Sequence, residues 1–306
     1  MNILLTGVNG MVGQNIFHNL QAAKYNFLVP NREKLDLLNI KQLDDFLLNN
    51  HIDLVIHAAG IVGGIEANMS YPVKYLVENS QMGLNLVNAC KKSKIKNFLN
   101  LASSCMYPKD HTQPLSEEMI LQGSLESTNE GYALSKILIT KLCEYISLDN
   151  DFLYKTVIPC NLYGEYDNFS YDSSHMIPAV IRKLHEAKEK SIDNISVWGD
   201  GEARREFMYA QDFSNFIFFA LENFIRMPQN LNVGLGHDFS INEYYQMIAK
   251  IIGYDGEFTH DLSKPIGMKK KLLNINKLTN FGWQHQFSLN QGIEGTYKFY
   301  KRGSYD

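Results

Sequence analysis

Cysteine is scarce in this sequence, proline is sparse, and no long apolar run occurs; each shortage excludes something. Cys90, Cys105, Cys143 and Cys160 are the only cysteines among 306 residues, too few for a disulfide framework, and no C-x-x-C pair marks a zinc or dithiol site. A reducing, cytoplasmic setting is expected, with no metal. The 8 prolines exclude a proline-rich linker. No apolar run approaches the length that crosses a bilayer, and the opening MNILLTG places no basic segment ahead of an apolar core, so neither a membrane span nor an export signal is expected. Excess positive charge is missing too. Against 33 acidic residues stand 29 basic ones, a net charge of -4, which excludes a field that gathers nucleic acid or anionic lipid. An anionic ligand must be held by local groups. What is present is a 45% hydrophobic chain, long enough for one large α/β domain carrying a smaller lobe.

The pattern filling this length alternates. Asn2–Thr6 is a short apolar run ending at Gly7, followed by a helix-like segment from about Met11 to Leu20. Strand-like runs recur at Phe27–Val29, Leu54–His57, Phe98–Ala102 and Thr156–Ile158, with helical periodicity at Ile40–Asn49, Gln81–Lys92 and Ala133–Ser147. Such alternation predicts a Rossmann-type, doubly wound parallel sheet. Near Tyr163 the regularity gives way to NLYGEYDNFSYDSSH, read as the crossing into a smaller C-terminal substrate-binding lobe. A helix from about Ile177 to Lys190, a strand at Ile195–Trp198, a helix at Ser214–Asn223 and a closing helix near Gly292–Lys301 follow. The expected division gives residues 1–165, with a returning segment 206–235, to a dinucleotide-binding domain, and 166–205 with 236–306 to the lobe.

Gly7, Gly10 and Gly13 spell G-x-x-G-x-x-G between the first strand and the first helix. Glycine permits the tight turn and the close backbone approach that a pyrophosphate needs, and the helix N-terminus favours an anion. Asn9, Met11 and Val12 complete the candidate cofactor loop. Asp36 and Leu37 lie one βα unit downstream, where such folds hold the adenosine half of the cofactor. Arg32 sits beside them, and a guanidinium suits a 2′-phosphate, favouring NADP(H) over NAD; the alternative is a solvated loop arginine. Ala102, ending one strand, and Pro159, Asn161 and Leu162, following another, are further candidate cofactor contacts. Asp53 and His57 flank a strand and are read as structural.

Tyr132 and Lys136 stand four apart on one helix face. An ammonium beside a phenol is expected to lower the phenol's pKa and make Tyr132 a usable proton donor. The spacing alone means little, since with 17 tyrosines such pairs arise by chance, and Tyr297 with Lys301 is a second one. Ser103 supplies context: it ends a predicted strand in LASSCMY, where ligands gather in doubly wound sheets, and its hydroxyl can hold the carbonyl oxygen that Tyr132 protonates.

Through Gly7/Gly10/Gly13, Ser103 and Tyr132/Lys136 the chain resembles the extended short-chain dehydrogenase/reductases. HAAGIVGGIEANMSYP, SSCMYPK, GSLESTNEGYALSK, NLYGEYDNF, SHMIPAVIRKLHEA and VWGDGEARREF are similar, along nearly the whole chain, to the GDP-L-fucose synthase family of epimerase/reductases. The resemblance implies NADP(H)-dependent reduction of a GDP-linked 4-keto-sugar by Ser103, Tyr132 and Lys136, with Lys136 also binding the nicotinamide ribose. It also implies prior epimerisation by Cys105 and His175, and a homodimer formed through Gln81–Lys92 and Ala133–Ser147. Protons beside a keto group are acidified, so a base on one face and an acid on the other invert the centre. The related 4,6-dehydratases carry Thr-Asp-Glu where this chain has Ser103, Ser104 and Cys105, which disfavours dehydration. Asn161, Lys183, Trp198 and Arg205 are the implied substrate contacts. Two positions depart from the family: Ile266 in KPIG replaces an acidic residue, and Asn9 replaces a basic one. A C4 reductase without epimerase activity, acting on a GDP-linked deoxyheptose or dideoxyhexose, is the alternative within this chemistry; a dinucleotide sensor without turnover is the alternative outside it.

Overall fold

The computed structural model describes residues 1–149, 151–171, 173–264 and 267–303; the departure noted at Ile266 lies outside them. Strands β1 (Asn2–Thr6), β2 (Asn26–Leu28), β3 (Leu54–His57), β4 (Asn97–Leu101) and β5 (Leu153–Pro159) come first. Between them run α1 (Met11–Phe17), α2 (Ile40–Asn49), α3 (Ile65–Ser70), α4 (Pro72–Lys92) and α5 (Glu130–Ile146). The chain then passes through β6 (Asn161–Tyr163), α6 (Met176–Glu189), β7 (Asn194–Trp198), β8 (Arg204–Arg205) and β9 (Phe207–Tyr209). It returns along α7 (Ala210–Glu222) and β10 (Asn230–Val233). It ends with β11 (Phe239–Ser240), α8 (Ile241–Ile252), β12 (Glu257–Asp261), β13 (Lys270–Lys271), α9 (Asn276–Phe281) and α10 (Leu289–Lys301).

The main sheet is six-stranded and parallel throughout, in the order β2-β1-β3-β4-β5-β10. Parallel strands need crossovers and bury both faces, which is why they read as nearly continuous apolar runs. Ile3 and Leu5 of β1 enter one core with Ile56, Leu99 and the α7 residues Phe216 and Ile217. Leu4, between them, points to the other core with Val55, Phe98 and Leu86. Successive strands leave β1 in opposite directions, so a crevice opens at the carboxyl ends of β1 and β3. On the second face α4 lies close along α5: a Cβ on Gly83 would sit 2.5 Å from the Ile139 side chain.

The lobe has its own core, built from Ile177, Ile181 and Leu184 of α6, Ile248 of α8 and Ile293 of α10. Leu278 and Phe281 of α9, with Trp283, instead join the α7 side of the main sheet, so 276–283 packs on the sheet although its sequence neighbours belong to the lobe. Helix α4 starts at Pro72 rather than near Gln81, because proline at the first helical position has its φ set and lacks only an N–H that would go unbonded anyway. Helix α5 likewise starts at Glu130, before the expected Ala133, which puts Tyr132 in its first turn. Among the described residues no helix is long and apolar enough to cross a membrane.

Candidate active site

The glycine loop turns tightly at the carboxyl end of β1. Gly7 has φ +75°, and a Cβ on it would lie 2.5 Å from the Ala59 amide nitrogen; a Cβ on Gly13 would lie 2.2 Å from the Gly7 carbonyl oxygen. Only glycine fits either position. Asn9 and Gly10 face outward, Met11 and Val12 are half-buried, and α1 begins with no side-chain cap at Gly10, which leaves its first N–H groups open to an anion. The residues present therefore fit a pyrophosphate. Arg32 is exposed and lies 3.7 Å from Asp36. Asp36 accepts a 3.0 Å bond from the Leu38 N–H, so its carboxylate braces the turn, while Leu37 is core.

Ser103, Cys105, Tyr132 and Lys136 come together beyond β4. The Ser103 Oγ caps a short turn by accepting from the Cys105 N–H at 3.4 Å. Lys136 extends under Tyr132, its Nζ 5.6 Å from the ring centroid, and donates to the Leu101 carbonyl at 3.0 Å. Burial lowers the Lys136 pKa to about 8, with the Cys105 thiol pulling it back up. The expected depression of Tyr132 is not found. Burial pushes its phenol well up, and the neighbouring Cys105 and Tyr75 add to the rise. The reason is geometric, because Lys136 spends its ammonium on a backbone carbonyl and is itself stripped of water. Burial also raises the Cys105 thiol, opposed by a hydrogen bond from Ser103 and by Lys271 and Lys136. His57, read as structural, is buried and bonds Thr6 at 3.0 Å through Nδ1; burial, then Lys136, lowers its pKa to about 3. The second Tyr–Lys pair lies in the lobe, where Tyr297 bonds His185 at 3.1 Å.

Lys271, which the sequence reading passed over, completes this cluster. It is paired with Arg205 across β13 and β8, and its charge is felt by both Cys105 and His175. Burial, then Lys271, lowers the His175 pKa; the residue stands at the N-cap of α6 without making a side-chain capping bond. Glu206 ties this region together, accepting from the N–H groups of Leu235, Gly236 and Leu273 at 2.5, 2.8 and 3.0 Å. The only advance sign of Lys271 was the run KKKLL, which reads as a solvated patch. Tyr75 was missed as well; its ring meets Tyr132 edge-on at 6.5 Å.

The other candidates are placed apart. Lys183 donates to the Ser196 carbonyl on β7, and Trp198, 46% exposed, carries the Lys264 ammonium 5.2 Å from its ring centroid, so these two form an outer group. Arg205 is held by the Arg204 carbonyl at 2.8 Å, inside near Lys271. Asn161 donates to the Glu206 carbonyl at 3.0 Å, Pro159 pairs with Val233, and Ala102 donates to the Val157 carbonyl at 2.9 Å, all at carboxyl ends of main-sheet strands or just beyond. Leu162 packs on the main core.

Residues 3–234 match the model of the NAD dependent epimerase/dehydratase family. The chain is 55% identical over 301 residues to a GDP-L-colitose synthase from Yersinia pseudotuberculosis, covering 98% of each. It is 45% identical over 302 residues to a GDP-L-fucose synthase from Azorhizobium caulinodans, covering 99% of this chain and 97% of that one. The structure of a GDP-mannoheptose C4 reductase from Campylobacter jejuni with NADP bound superposes with a TM-score of 0.89 at 27% identity, covering 98% of both chains. With its glycine loop, its Ser-Tyr-Lys cluster and relatives matched from end to end, this chain belongs to the NAD dependent epimerase/dehydratase family and, within it, to the GDP-L-fucose synthase group.

Proposed function

We propose that the protein reduces C4 of a GDP-linked 4-keto-6-deoxy-sugar with NADPH, after epimerising the carbons beside the keto group. The observation that carries this is that Cys105, bonded to Ser103 and alongside Tyr132, lies within electrostatic reach of two cations, Lys271 and Lys136. A Cys105 thiolate, favoured by nearby ammonium groups, can take the proton from an acidified carbon and become the thiol, while His175 in its protonated form returns one from the other face and is left as the neutral imidazole. NADPH, when bound, supplies a hydride. Burial keeps Tyr132 protonated until an oxyanion develops at C4; it then gives up its proton while the Ser103 hydroxyl donates to the same oxygen. Lys136 neutralises the charge left behind. Backbone of Gly7, Asn9, Gly10 and Gly13 holds the pyrophosphate, Arg32 takes the 2′-phosphate, and Asp36, Leu37, Ala102, Pro159 and Leu162 line the rest of the cofactor path. Asn161, Lys183, Trp198 and Arg205 bind the GDP-sugar from the lobe side.

The heptose C4 reductase with the matching fold supports a second reading, reduction alone. Solvent deuterium separates the two: turnover in heavy water places deuterium on the carbons flanking C4 if Cys105 and His175 act, and a product without it leaves only the reductase. Cys105→Ser should abolish that uptake and keep NADPH oxidation on an already epimerised substrate.

We also propose a homodimer along α4 and α5, because Val73 and Val77 of one and Leu134 and Leu138 of the other are 72%, 54%, 40% and 42% exposed on adjacent helices. Four buried free thiols suit work in the cytoplasm.

A further inference from the structure

The segment from Gly164 to Ser174 hands the chain from β6 to α6 and ends at His175. Two side chains of α6 grip it. Arg182, two turns beyond His175, donates from Nη1 to the Phe169 carbonyl at 2.6 Å and lays its guanidinium 4.0 Å from the centroid of the Tyr171 ring. Glu186, one turn further on, accepts from the Tyr171 hydroxyl at 2.5 Å and lies 3.8 Å from Arg182 Nε. The Arg182 side chain is only 12% exposed, and its Nε is buried with no hydrogen-bond partner among the described residues. A guanidinium drawn out of water in this way is retained for its planar contacts, here a carbonyl and a ring. Between these anchors Asn168 donates to Ser173 Oγ at 2.7 Å, and Ser170 and Ser173 share a 2.8 Å bond.

The helix capped by His175 therefore also holds the chain that leads into His175. The imidazole makes no capping bond of its own, so its place is set by the backbone on either side. We propose that Arg182 is a positioning residue for His175, fixing the preceding loop so that the ring faces the sugar carbon from the side opposite Cys105. The inference rests on the reading that His175 exchanges a proton with the sugar. Displacement by about 1 Å costs proton transfer up to about 100-fold, whereas cofactor binding on the main sheet is untouched.

The test uses the full-length protein with Arg182→Met and Arg182→Lys. Deuterium uptake from heavy water into GDP-4-keto-6-deoxymannose, without NADPH, reads the His175 step. NADPH oxidation on the already epimerised keto-sugar reads the rest of the site. Ethoxyformylation of His175, followed by peptide mass, reads the ring's confinement. Expected are uptake at least about tenfold slower in Arg182→Met, partial recovery in Arg182→Lys, NADPH oxidation within about twofold of the parent, and faster ethoxyformylation. Uptake at the parent rate overturns the proposal, and so does a parallel loss of uptake and oxidation, which marks a general disturbance of the fold. If the parent protein takes up no deuterium, the epimerase reading fails on its own; the ethoxyformylation rates then decide, and equal rates in parent and Arg182→Met overturn the positioning role.

Discussion

Burial strips water from the Lys136 ammonium and brings its pKa down to about 8. On the proposed mechanism the charged form neutralises the phenolate left on Tyr132, so kcat/KM for reduction should fall as pH rises through about 8 in the free enzyme. Lys136→Arg keeps its charge at every accessible pH, so the surviving activity of that variant should show no such limb. A parent profile flat to pH 9 or so contradicts the assignment. Tyr132→Phe should cut reduction by roughly 100- to 10,000-fold, the usual worth of a positioned proton donor, with NADPH affinity measured by fluorescence nearly unchanged. The spacing of Tyr132, Lys136 and Ser103 was legible in the sequence because helix period and strand ends are local properties. The sign of the Tyr132 shift was not, since it depends on where the Lys136 ammonium points and on how dry the pocket is. Lys271 was illegible for a related reason: nothing near it in the chain shows that a two-residue strand will carry it inside beside Arg205.

At the scale of elements, the β1–loop–α1 unit is held by close backbone contacts that leave no space for a side chain. Gly13→Ala would drive a methyl group to 2.2 Å from the Gly7 carbonyl oxygen, so the loop must open or α1 must shift. NADPH binding should be lost, or weakened by at least about tenfold, as measured by titration, with GDP binding on the lobe side retained; unchanged NADPH affinity would show that the loop does not cradle the pyrophosphate. Element types were readable from alternation and period, and β3, α2 and the end of α4 lie where the pattern predicts. Strands β8, β11 and β13, of two residues each, carry too little pattern to be seen, yet they form the sheet that brings Arg205 and Lys271 together. The position of α9 on the main sheet was equally hidden, since its core contacts come from residues far away in sequence.

For the molecule as a whole, two buried carboxyl groups make stability depend on pH. Burial raises Glu206 from 4.5 and Asp167 from 3.8, each to about 7. A folded pKa above the unfolded one favours folding while the group is protonated, so this contribution is complete below the unfolded values and is lost as pH rises through about 7. Between pH 5 and pH 8 or so the melting temperature of the parent should therefore drop more than that of Glu206→Gln, in which the amide oxygen still accepts from the main chain. Equal drops would place the titration elsewhere. Quaternary structure offers another test at this scale. Leu138→Arg should turn a dimer into a monomer in sedimentation, and a parent that sediments as a monomer removes the proposed interface.

Lys271 lies far along the chain from the thiol whose charge it influences at position 105, and it follows β10, which supplies the last strand of the main sheet. During synthesis the sheet and this cation must then arise at different times. A nascent chain that has just released β10 from the ribosome has every strand of the dinucleotide sheet but no cation from β13 to favour the Cys105 thiolate. On the proposed mechanism, proton exchange at the sugar therefore waits for β13, and a chain stopped before that strand would lack the cation that assists Cys105.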